Sequence, residues 1–334
     1  MAITPSTNNA HYSSKAHASI KLSDGSTASS FGKLLEPGLR KIFFETYAEV
    51  PEQFSKIYKV NTSKKAKETD FGLGAFGDWT ARDNEFSEVS YATLDTGYER
   101  VYTHRAFTKG FIIGRELYDD EQYRQIQKFP AAMARAGRAF VEKQAHSFVH
   151  QAFGGAAMTA GNTYKIFDGQ PLISAAHPLV NSAETGSNLA TGALNDTNLK
   201  AAMKVMRETV DEAGNLISCS AKKLVVPPAL EFTAKELVNS AQKAGTDLND
   251  INTIKGSLQV VVDDYLGEAA GGSDTAWFLI DPAICELNFF WRVRPEFKWD
   301  EDFDTFAAKY RGYMRFSYGA SDWRGIVGST GIED

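Results

Sequence analysis

Two histidines four residues apart are the first side chains in this sequence that could hold a metal ion. His146 and His150 fall on one helical face, at the spacing of a zinc-binding helix. In the metalloprotease form, a glutamate directly follows the first histidine and acts as general base. Ser147 stands there instead, and no clear third ligand is visible, although Glu142 lies one turn earlier. The pattern therefore favours surface or interface histidines over a metal centre.

A glycine-rich run has the letters of a dinucleotide-binding loop. Residues 72–77 read Gly-Leu-Gly-Ala-Phe-Gly and match GxGxxG. A dinucleotide site needs a hydrophobic strand before the first glycine and a helix start after the last one. Here KKAKETD leads into the run and DWTARDNE follows it. The sequence thus predicts a flexible glycine loop rather than a nucleotide site.

The acidic run WDEDFD is spaced like the opening of an EF-hand loop, with Asp300, Asp302 and Asp304 at alternate positions. An EF-hand requires Gly at its sixth position and Glu at its twelfth. Thr305 and Arg311 occupy those positions, so the run is predicted to be a solvated acidic turn.

The remaining residue types also give no sign of catalysis. Cys219 and Cys285 lack paired-cysteine spacing and are predicted to be buried thiols. No GxSxG or Walker motif is present, and the acidic residues 119–121 stand where a helix start would favour them. We predict no enzyme activity, no catalytic residue, no metal and no cofactor. A metal- or nucleotide-dependent enzyme remains the competing class, and stoichiometric zinc would favour it.

Composition narrows the function classes further. The 334 residues carry 36 basic and 42 acidic side chains, a net charge of −6, which argues against a broad basic surface that grips nucleic acid. Mean hydropathy is −0.31, and no apolar run approaches the roughly 18 residues that cross a bilayer. The first residues show neither the basic nor the apolar region of a secretory signal. The 22 Phe, 13 Tyr and 5 Trp stand out in so acidic a chain.

The elements that must position these side chains alternate between helices and strands without a βαβ rhythm, which predicts an α+β fold. Residues 1 to about 30 are polar and predict an extended arm. A helix is expected after Pro37, and a long one over Pro130–Phe153. Further helices are predicted over Asp196–Ala213, capped by Asp196 or Thr197, and over Ala229–Ala244. Strands are predicted over Lys223–Val226, Leu258–Val262, Ala276–Ile280, Glu286–Val293 and Lys309–Tyr318.

Two further strand-like stretches, Glu88–Leu94 and Tyr98–Lys109, predict a hairpin around a Gly-containing turn. Both of its faces are polar and aromatic, so we expect it to project and to lie against a neighbouring molecule. The rings that one chain is not expected to cover are Tyr91, Tyr98, Tyr102, Phe107, Tyr310, Tyr313 and Tyr318. The nearby basic cluster Lys64-Lys65-Lys67 could meet acidic patches on neighbours.

Six phrases, in this order, carry a resemblance to a known family. They are TKGFIIGRELYDDEQY (108–123), LISAAHPL (172–179), KKLVVPPALEFTAKELVNS (222–240), KGSLQVVVDDYL (255–266), AWFLIDP (276–282) and FSYGASDWRGIVGS (316–329). The sequence resembles the major capsid proteins of tailed bacteriophages, of the Hong Kong 97-type fold, close to the Mu-like head subunits. The resemblance covers most of the chain from about residue 85.

The resemblance implies a division of the chain into five parts. They are an N-terminal arm (1–58), an extended loop (59–107), a peripheral domain with a spine helix at about 123–153 (108–194), an axial domain (195–281) and C-terminal strands that return to the peripheral domain (282–334). The resemblance also implies the function of a structural capsid subunit that self-assembles as hexamers and pentamers into an icosahedral head. An encapsulin-like compartment shell is the alternative.

The implied partners are further copies of the same chain, a portal protein and a scaffolding protein. Double-stranded DNA would be enclosed without sequence-specific binding, no membrane would be involved, and the protein would reside in the virion after assembly in the bacterial cytoplasm. Eight residues of the extended loop are candidates for the subunit interface: Lys64, Lys65, Phe71, Trp79, Tyr91, Tyr98, Tyr102 and Phe107.

Overall fold

The computed structural model describes residues 31–73, 96–120, 122–154, 164–180, 185–242, 251–302 and 307–332, together with positions 79, 81, 89 and 91. Within that part of the chain, no helix is both long enough and apolar enough to cross a membrane. The described residues form two compact units. One contains 31–51, Ala106–Ala139 and Val293–Met314, and the other contains Glu52–Arg105, Phe140–Arg292 and 315–332.

Helices and strands are mixed along the chain, as the sequence predicts. The α-helices are α1 (Phe31–Glu49), α2 (Arg115–Asp119), α3 (Tyr123–Ile126), α4 (Lys128–His150), α5 (Asp196–Arg207) and α6 (Glu231–Asn239). The strands are β1 (Lys59–Thr62), β2 (Lys67–Leu73), β3 (Thr96–Thr103), β4 (Arg105–Gly114), β5 (His177–Pro178), β6 (Thr185–Gly186), β7 (Leu189–Ala190), β8 (Lys223–Val226), β9 (Gln259–Val262), β10 (Trp277–Ile280), β11 (Leu287–Asp302), β12 (Ala307–Ala320) and β13 (Ile326–Ser329).

Helix α1 begins before Pro37 rather than after it, which corrects the predicted start. Proline inside a helix removes one backbone hydrogen bond. The apolar face of α1 offsets that loss, because Leu39 and Phe43 are buried in a core with Phe297 and Tyr310 of the same unit. Stacking of Phe43 on Phe297, with ring centroids 5.2 Å apart, fixes the helix there.

A five-stranded sheet in the order β7-β13-β10-β8-β9 forms the core of the larger unit. Its central strand β10 is buried on both faces. Trp277 and Leu279 pack into a core shared with α5 and α6, while Phe278 stacks on Phe153 at 5.7 Å. The predicted strand Lys223–Val226 matches β8, because a short apolar run beside Pro-Pro leaves little choice of register.

Helix α5 starts where the sequence predicts, but its cap is Asn195, whose side chain accepts the backbone N–H of Asn198. The helix ends at Arg207, short of the predicted Ala213, because the Asp211 carboxylate accepts the backbone N–H groups of Ala213 and Asn215 in a tight turn. Helix α6 ends at Asn239, also short of the predicted Ala244.

The predicted hairpin has a different partner in the structure. Strand β3 pairs antiparallel with β2, with Lys67 opposite Thr103 and Asp70 opposite Arg100. Most of the predicted strand at 88–94 lies outside the described residues. The second predicted strand is divided at His104 into β3 and β4, which belong to different sheets. A second sheet has the order β1-β11-β12-β4.

Candidate functional site: the loop hairpin and its anchors

The β2–β3 hairpin is anchored to the rest of its unit by a chain of hydrogen bonds. The Tyr102 hydroxyl lies 2.6 Å from Ser321 Oγ, which donates to Asp70 Oδ2 at 2.5 Å. Since the Ser321 proton is committed to Asp70, Tyr102 donates to Ser321. Arg100 adds a bond from Nη1 to the Lys165 carbonyl at 2.6 Å. Both strands of the hairpin are therefore fixed to the C-terminal segment or to the loop at 165.

Tyr102 belongs to this anchor and does not face a neighbouring molecule. It is 1% exposed, and burial raises the pKa of its hydroxyl to about 12. Tyr310, also expected to be uncovered, is buried in the core of the smaller unit. Tyr318 is half-buried and donates to Gln144 Oε1. The chain itself thus covers several rings that the sequence assigns to interfaces, because residues distant in sequence supply their partners.

The other predicted interface residues divide into exposed and half-buried sets. Trp79 and Tyr91 are 99% and 91% exposed, and Phe71 is 57% exposed. Tyr98 is half-buried against Phe167, with ring centroids 5.4 Å apart, and Phe107 is half-buried. Lys64 and Lys65 are exposed. The structure therefore presents three open aromatic rings and two lysines from the predicted loop.

Most of the glycine run at 72–77 lies outside the described residues. Its first glycine, Gly72, pairs across the hairpin with Gly97. A side chain on Gly97 would come within 2.7 Å of the Gly72 carbonyl oxygen, so the two strands meet there through backbone alone. The close approach gives these glycines a structural role in the hairpin.

A buried histidine, His104, joins the end of β3 to two other segments. Its Nε2 lies 3.1 Å from Ser63 Oγ and its Nδ1 lies 2.9 Å from Ser317 Oγ. Ser63 donates to Glu68 at 2.6 Å, so Ser63 must accept from His104 Nε2–H, and Ser317 can then donate to Nδ1. A neutral imidazole satisfies this arrangement. Burial lowers the pKa of His104, and the nearby Arg315 charge lowers it further.

A second buried histidine, His146, has the opposite surroundings. Its Nδ1 lies 2.7 Å from the Glu142 carbonyl oxygen and its Nε2 lies 2.7 Å from Asp263 Oδ2. Both partners are acceptors while Asp263 is ionised, so only a doubly protonated imidazolium donates to both. Burial by itself would lower the pKa of His146, but the Asp263 hydrogen bond and charge, helped by Glu142, outweigh it and raise the pKa above 6.5.

Glu142 extends this cluster to the start of the loop. Its two carboxylate oxygens accept the backbone N–H groups of Gln53 and Phe54, each at 3.0 Å, and the side chain is fully buried. The Gln53 side chain in turn exchanges two hydrogen bonds with Asp264. Three segments distant in sequence are thus held by one set of charges, which we call the His146 joint (Gln53, Glu142, His146, Asp263, Asp264).

The His146 joint corrects the prediction of surface or interface histidines. His146 is buried within the chain, and His150 Nε2 bonds to the Tyr265 carbonyl at 2.7 Å. Sequence reasoning noted Glu142 one turn from His146 but missed Asp263, which follows directly after strand β9. The i,i+4 pair of opposite charge potential was the available signal.

A third buried histidine links two of the phrases that carry the family resemblance. His177 Nδ1 lies 2.6 Å from Asp168 Oδ2 and its Nε2 lies 3.0 Å from Asn188 Oδ1. Its ring stacks on Trp323 at 4.7 Å with an interplanar angle of 3°. The Arg324 guanidinium also lies over the Trp323 ring, 4.8 Å from its centroid. The histidine of LISAAHPL and the tryptophan of FSYGASDWRGIVGS are therefore in direct contact.

These arrangements do not assemble a metal or redox site. Among the described residues, no three His, Cys, Asp or Glu side chains converge in a way that could hold a metal ion. Asp302 of the acidic run pairs with Lys309, and Asp304 lies outside the described residues. Cys219 and Cys285 are buried free thiols, as predicted, and burial raises their pKa values to about 11 and about 12. Neither thiol is poised to act as a nucleophile.

The fold is similar to that of solved phage proteins. A chain of Mycobacterium phage Patience superimposes with a TM-score of 0.53 at 12% identity, covering 92% of this chain and 89% of that chain. A chain of Microbacterium phage Oxtober96 gives 0.52 at 9% identity, covering 84% and 92%. The predicted α+β fold of the Hong Kong 97 type is confirmed.

The sequence itself matches the family described as phage capsid protein over residues 97–329. This chain belongs to that family and is a structural protein of the phage capsid shell. No curated protein sequence matches the chain. The hairpin strand β3, His104, His146, His177 and the central strand β10 all lie inside the matched range.

Proposed function

We propose that this chain is the major head subunit of a tailed phage and that its copies assemble as hexamers and pentamers into an icosahedral shell around double-stranded DNA. The observation that carries the proposal is the family match over residues 97–329, which spans most of the chain. The same match favours a phage head over an encapsulin-like compartment. A role without catalysis is in keeping with the buried thiols of Cys219 and Cys285.

The five-part division of the chain remains a proposal. It is supported by α4 (Lys128–His150), which occupies the stretch proposed for the spine helix. It is also supported by the compact packing of α5 and α6 on strands β8 and β10, all within the proposed axial domain at 195–281. We further propose that the chain is most similar to the Mu-like head subunits, on the strength of the six phrases.

The proposed subunit interface is the exposed part of the loop. Phe71, Trp79 and Tyr91 are large, open rings of the kind that protein interfaces enrich, and Lys64 and Lys65 lie at the base of the same loop. Tyr98 and Phe107 would contribute their open edges. Tyr102 supports the interface indirectly, because it anchors the hairpin from within.

The net charge of −6 fits a shell that surrounds DNA without gripping it, since an acidic subunit repels the phosphates weakly. We propose that assembly takes place in the bacterial cytoplasm with a scaffolding protein and a portal protein as partners, and that the protein ends in the virion. Head-to-tail contacts that close into rings are what such a subunit requires.

Expression of the chain followed by light scattering and negative-stain microscopy tests the proposal. Capsomers, sheets, tubes or shells are expected over a range of salt concentrations. A folded monomer or dimer that forms none of them would contradict the proposal. A particle loaded with protein cargo rather than DNA in an infected or induced host would point to the compartment alternative.

A matched set of variants tests the proposed interface. We expect the triple change Phe71→Ala, Trp79→Ala and Tyr91→Ala to reduce the assembled fraction strongly while the thermal unfolding temperature stays near wild type, because the three rings are open to solvent. Phe232→Ala is the control, since Phe232 is 74% exposed but lies on α6, outside the loop. Equal losses in both variants would show that the loop has no special part in assembly.

A further inference from the structure

An acidic cavity of about 270 Å³ lies beside the hairpin, between β2 and the segments near residues 211–217 and 321–324. Five carboxylates and two guanidinium groups line it, so its charge is negative. The carboxylates are Asp70, Asp211, Glu212, Glu286 and Asp322, and the guanidinium groups belong to Arg100 and Arg324. Phe71 and Ile217 supply apolar wall. We call this feature the acidic cavity.

Glu286 is the carboxylate whose charge is least compensated. Asp70 accepts from Ser321, and Asp322 pairs with Arg324 at 3.1 Å. The Glu286 carboxylate has no hydrogen bond or ion pair with any described residue. Burial raises its pKa, and the charges of Asp70 and Asp322 raise it further. The acidic cavity therefore has room for one more positive charge.

Arg324 supplies a second, independent sign of a missing partner. It is 5% exposed, its Nε donates to the Val210 carbonyl at 2.7 Å, and its Nη1 donates to Glu212 at 2.9 Å. Its Nη2 is buried and has no hydrogen-bond acceptor among the described residues. A buried donor without an acceptor is costly, so the cavity also calls for an oxygen atom.

The missing group must carry a cation and an oxygen acceptor together. A metal ion does not fit, because no three ligating side chains of the described residues converge suitably. A lysine-bearing stretch of polypeptide does fit, since the ammonium can meet Glu286 while a backbone carbonyl accepts from Arg324. The molecule presents such a stretch: Lys64 and Lys67 are exposed and form no ion pair with described residues, whereas Lys65 pairs with Glu68.

We propose that the acidic cavity receives the lysine segment 64–67 of a second copy of this chain, with Glu286 binding a lysine ammonium and Arg324 binding a backbone carbonyl. The proposal rests on the proposed self-assembly and names one of its contacts. Within one chain, Lys64 and Lys67 remain unpaired with the cavity acids, so the complementary charges are left for contacts between copies. Such a contact is head-to-tail, the type that closes into rings.

Two charge-reversed variants test the pairing through their mixture. The first carries Lys64→Glu and Lys67→Glu, and the second carries Glu286→Lys. Alone, each variant brings like charges together at every contact and is expected to lose about tenfold or more in assembled fraction. Mixed in equal amounts, the two variants offer opposite charges at both kinds of alternating contact. Assembly measured by sedimentation is therefore expected to recover in the mixture.

Two further variants separate this contact from general effects. Glu236→Lys reverses an exposed carboxylate on α6 and is expected to assemble like wild type. Glu286→Gln removes the charge with little change of shape and is expected to weaken assembly less than Glu286→Lys. Circular dichroism and thermal unfolding of each variant check that the subunit still folds.

The outcomes distinguish this contact from the proposed function. Wild-type shells together with a mixture that assembles no better than its two components would overturn the pairing and leave the capsid function intact. Variants that assemble as well as wild type would do the same. A wild-type chain that stays monomeric would overturn both.

Discussion

The His146 joint and the His104 contact are two buried histidine sites of the same unit, and they hold opposite protonation states. His146 lies between a carbonyl and a carboxylate, both acceptors, and needs two protons. His104 lies between two serine hydroxyls and needs one. Burial acts against the charged form in both. The difference shows that the partners of a buried imidazole, rather than its depth, decide its charge.

The two sites also differ in how they respond to pH. The pKa of His146 is raised, so its contribution to stability is full below pH 6.5 and is lost as pH rises through the folded-state pKa. The pKa of His104 is lowered, so its contribution is full above pH 6.5 and is lost as pH falls towards the folded-state pKa. Their opposite slopes allow each site to be followed separately.

Glu142→Gln should produce the largest effect on the comparison. The amide can accept from one of the two backbone N–H groups of Gln53 and Phe54 but turns a donor towards the other, and it removes a charge near His146. We expect a loss of about 3–5 kcal/mol in the free energy of unfolding, the usual cost of breaking a buried charged cluster. Urea unfolding of the subunit measures it, and a loss below about 1 kcal/mol would show that this carboxylate is not central.

Asp263→Asn should weaken the joint by about 1.5–3 kcal/mol, the range for a hydrogen bond to a charged group. Asp263 is also the group that does most to raise the pKa of His146. The decline in stability as pH rises above 6.5 should therefore become shallower in the variant than in wild type. Urea unfolding at several pH values tests this, with His146→Gln as the reference that removes the titrating group. An unchanged slope in the Asn variant would assign the pH dependence elsewhere.

Ser317→Ala should cost less, about 0.5–1.5 kcal/mol, because it removes one neutral hydrogen bond to His104 Nδ1. The loss should be larger above pH 6.5, where the imidazole is neutral and its lone pair needs a donor. Comparing unfolding free energies at pH 5 and pH 8, as approximate working values on either side of the histidine range, checks the sign. A larger loss at the acidic value would mean that His104 is held charged.

Lys65→Ala should have the smallest effect, within about 0.5 kcal/mol, because its ion pair with Glu68 is a surface one and the lysine side chain is 73% exposed. The Ser63 hydrogen bond, rather than the lysine, does most to lower the pKa of Glu68. Thermal unfolding of this variant supplies the baseline for the three buried changes. A loss as large as that of Ser317→Ala would narrow the difference between surface and buried sites.

Local patterns in the sequence predicted the parts of the fold that neighbouring residues determine. Strand β8 was placed correctly by its apolar run, and α4 was placed within a few residues by Pro130 and the spacing of its apolar side chains. The hairpin partner was wrong because β2 is a charged strand without the alternation that marks a half-buried one. Strand pairing across an intervening loop leaves little trace in either strand.

The anchors of the loop were missed for a related reason. His146 and Asp263 are 117 positions apart, and Tyr102 and Ser321 are 219 apart, so no spacing rule connects them. Tyr102 was assigned to an interface because its strand has polar residues on both faces. The residues that cover its ring come from the far end of the chain. The exposed rings of Phe71, Trp79 and Tyr91 were predicted from the same pattern, since nothing distant covers them.

The flat stack of His177 on Trp323 gives the protein an optical reporter of its own. An indole in face-to-face contact with an imidazole, here 4.7 Å apart with 3° between the planes, loses excited-state energy to that neighbour. Separation of the segment around residue 323 from the segment around residue 177 would therefore brighten Trp323. Fluorescence of the unlabelled subunit can follow whether these two segments stay together while copies come together.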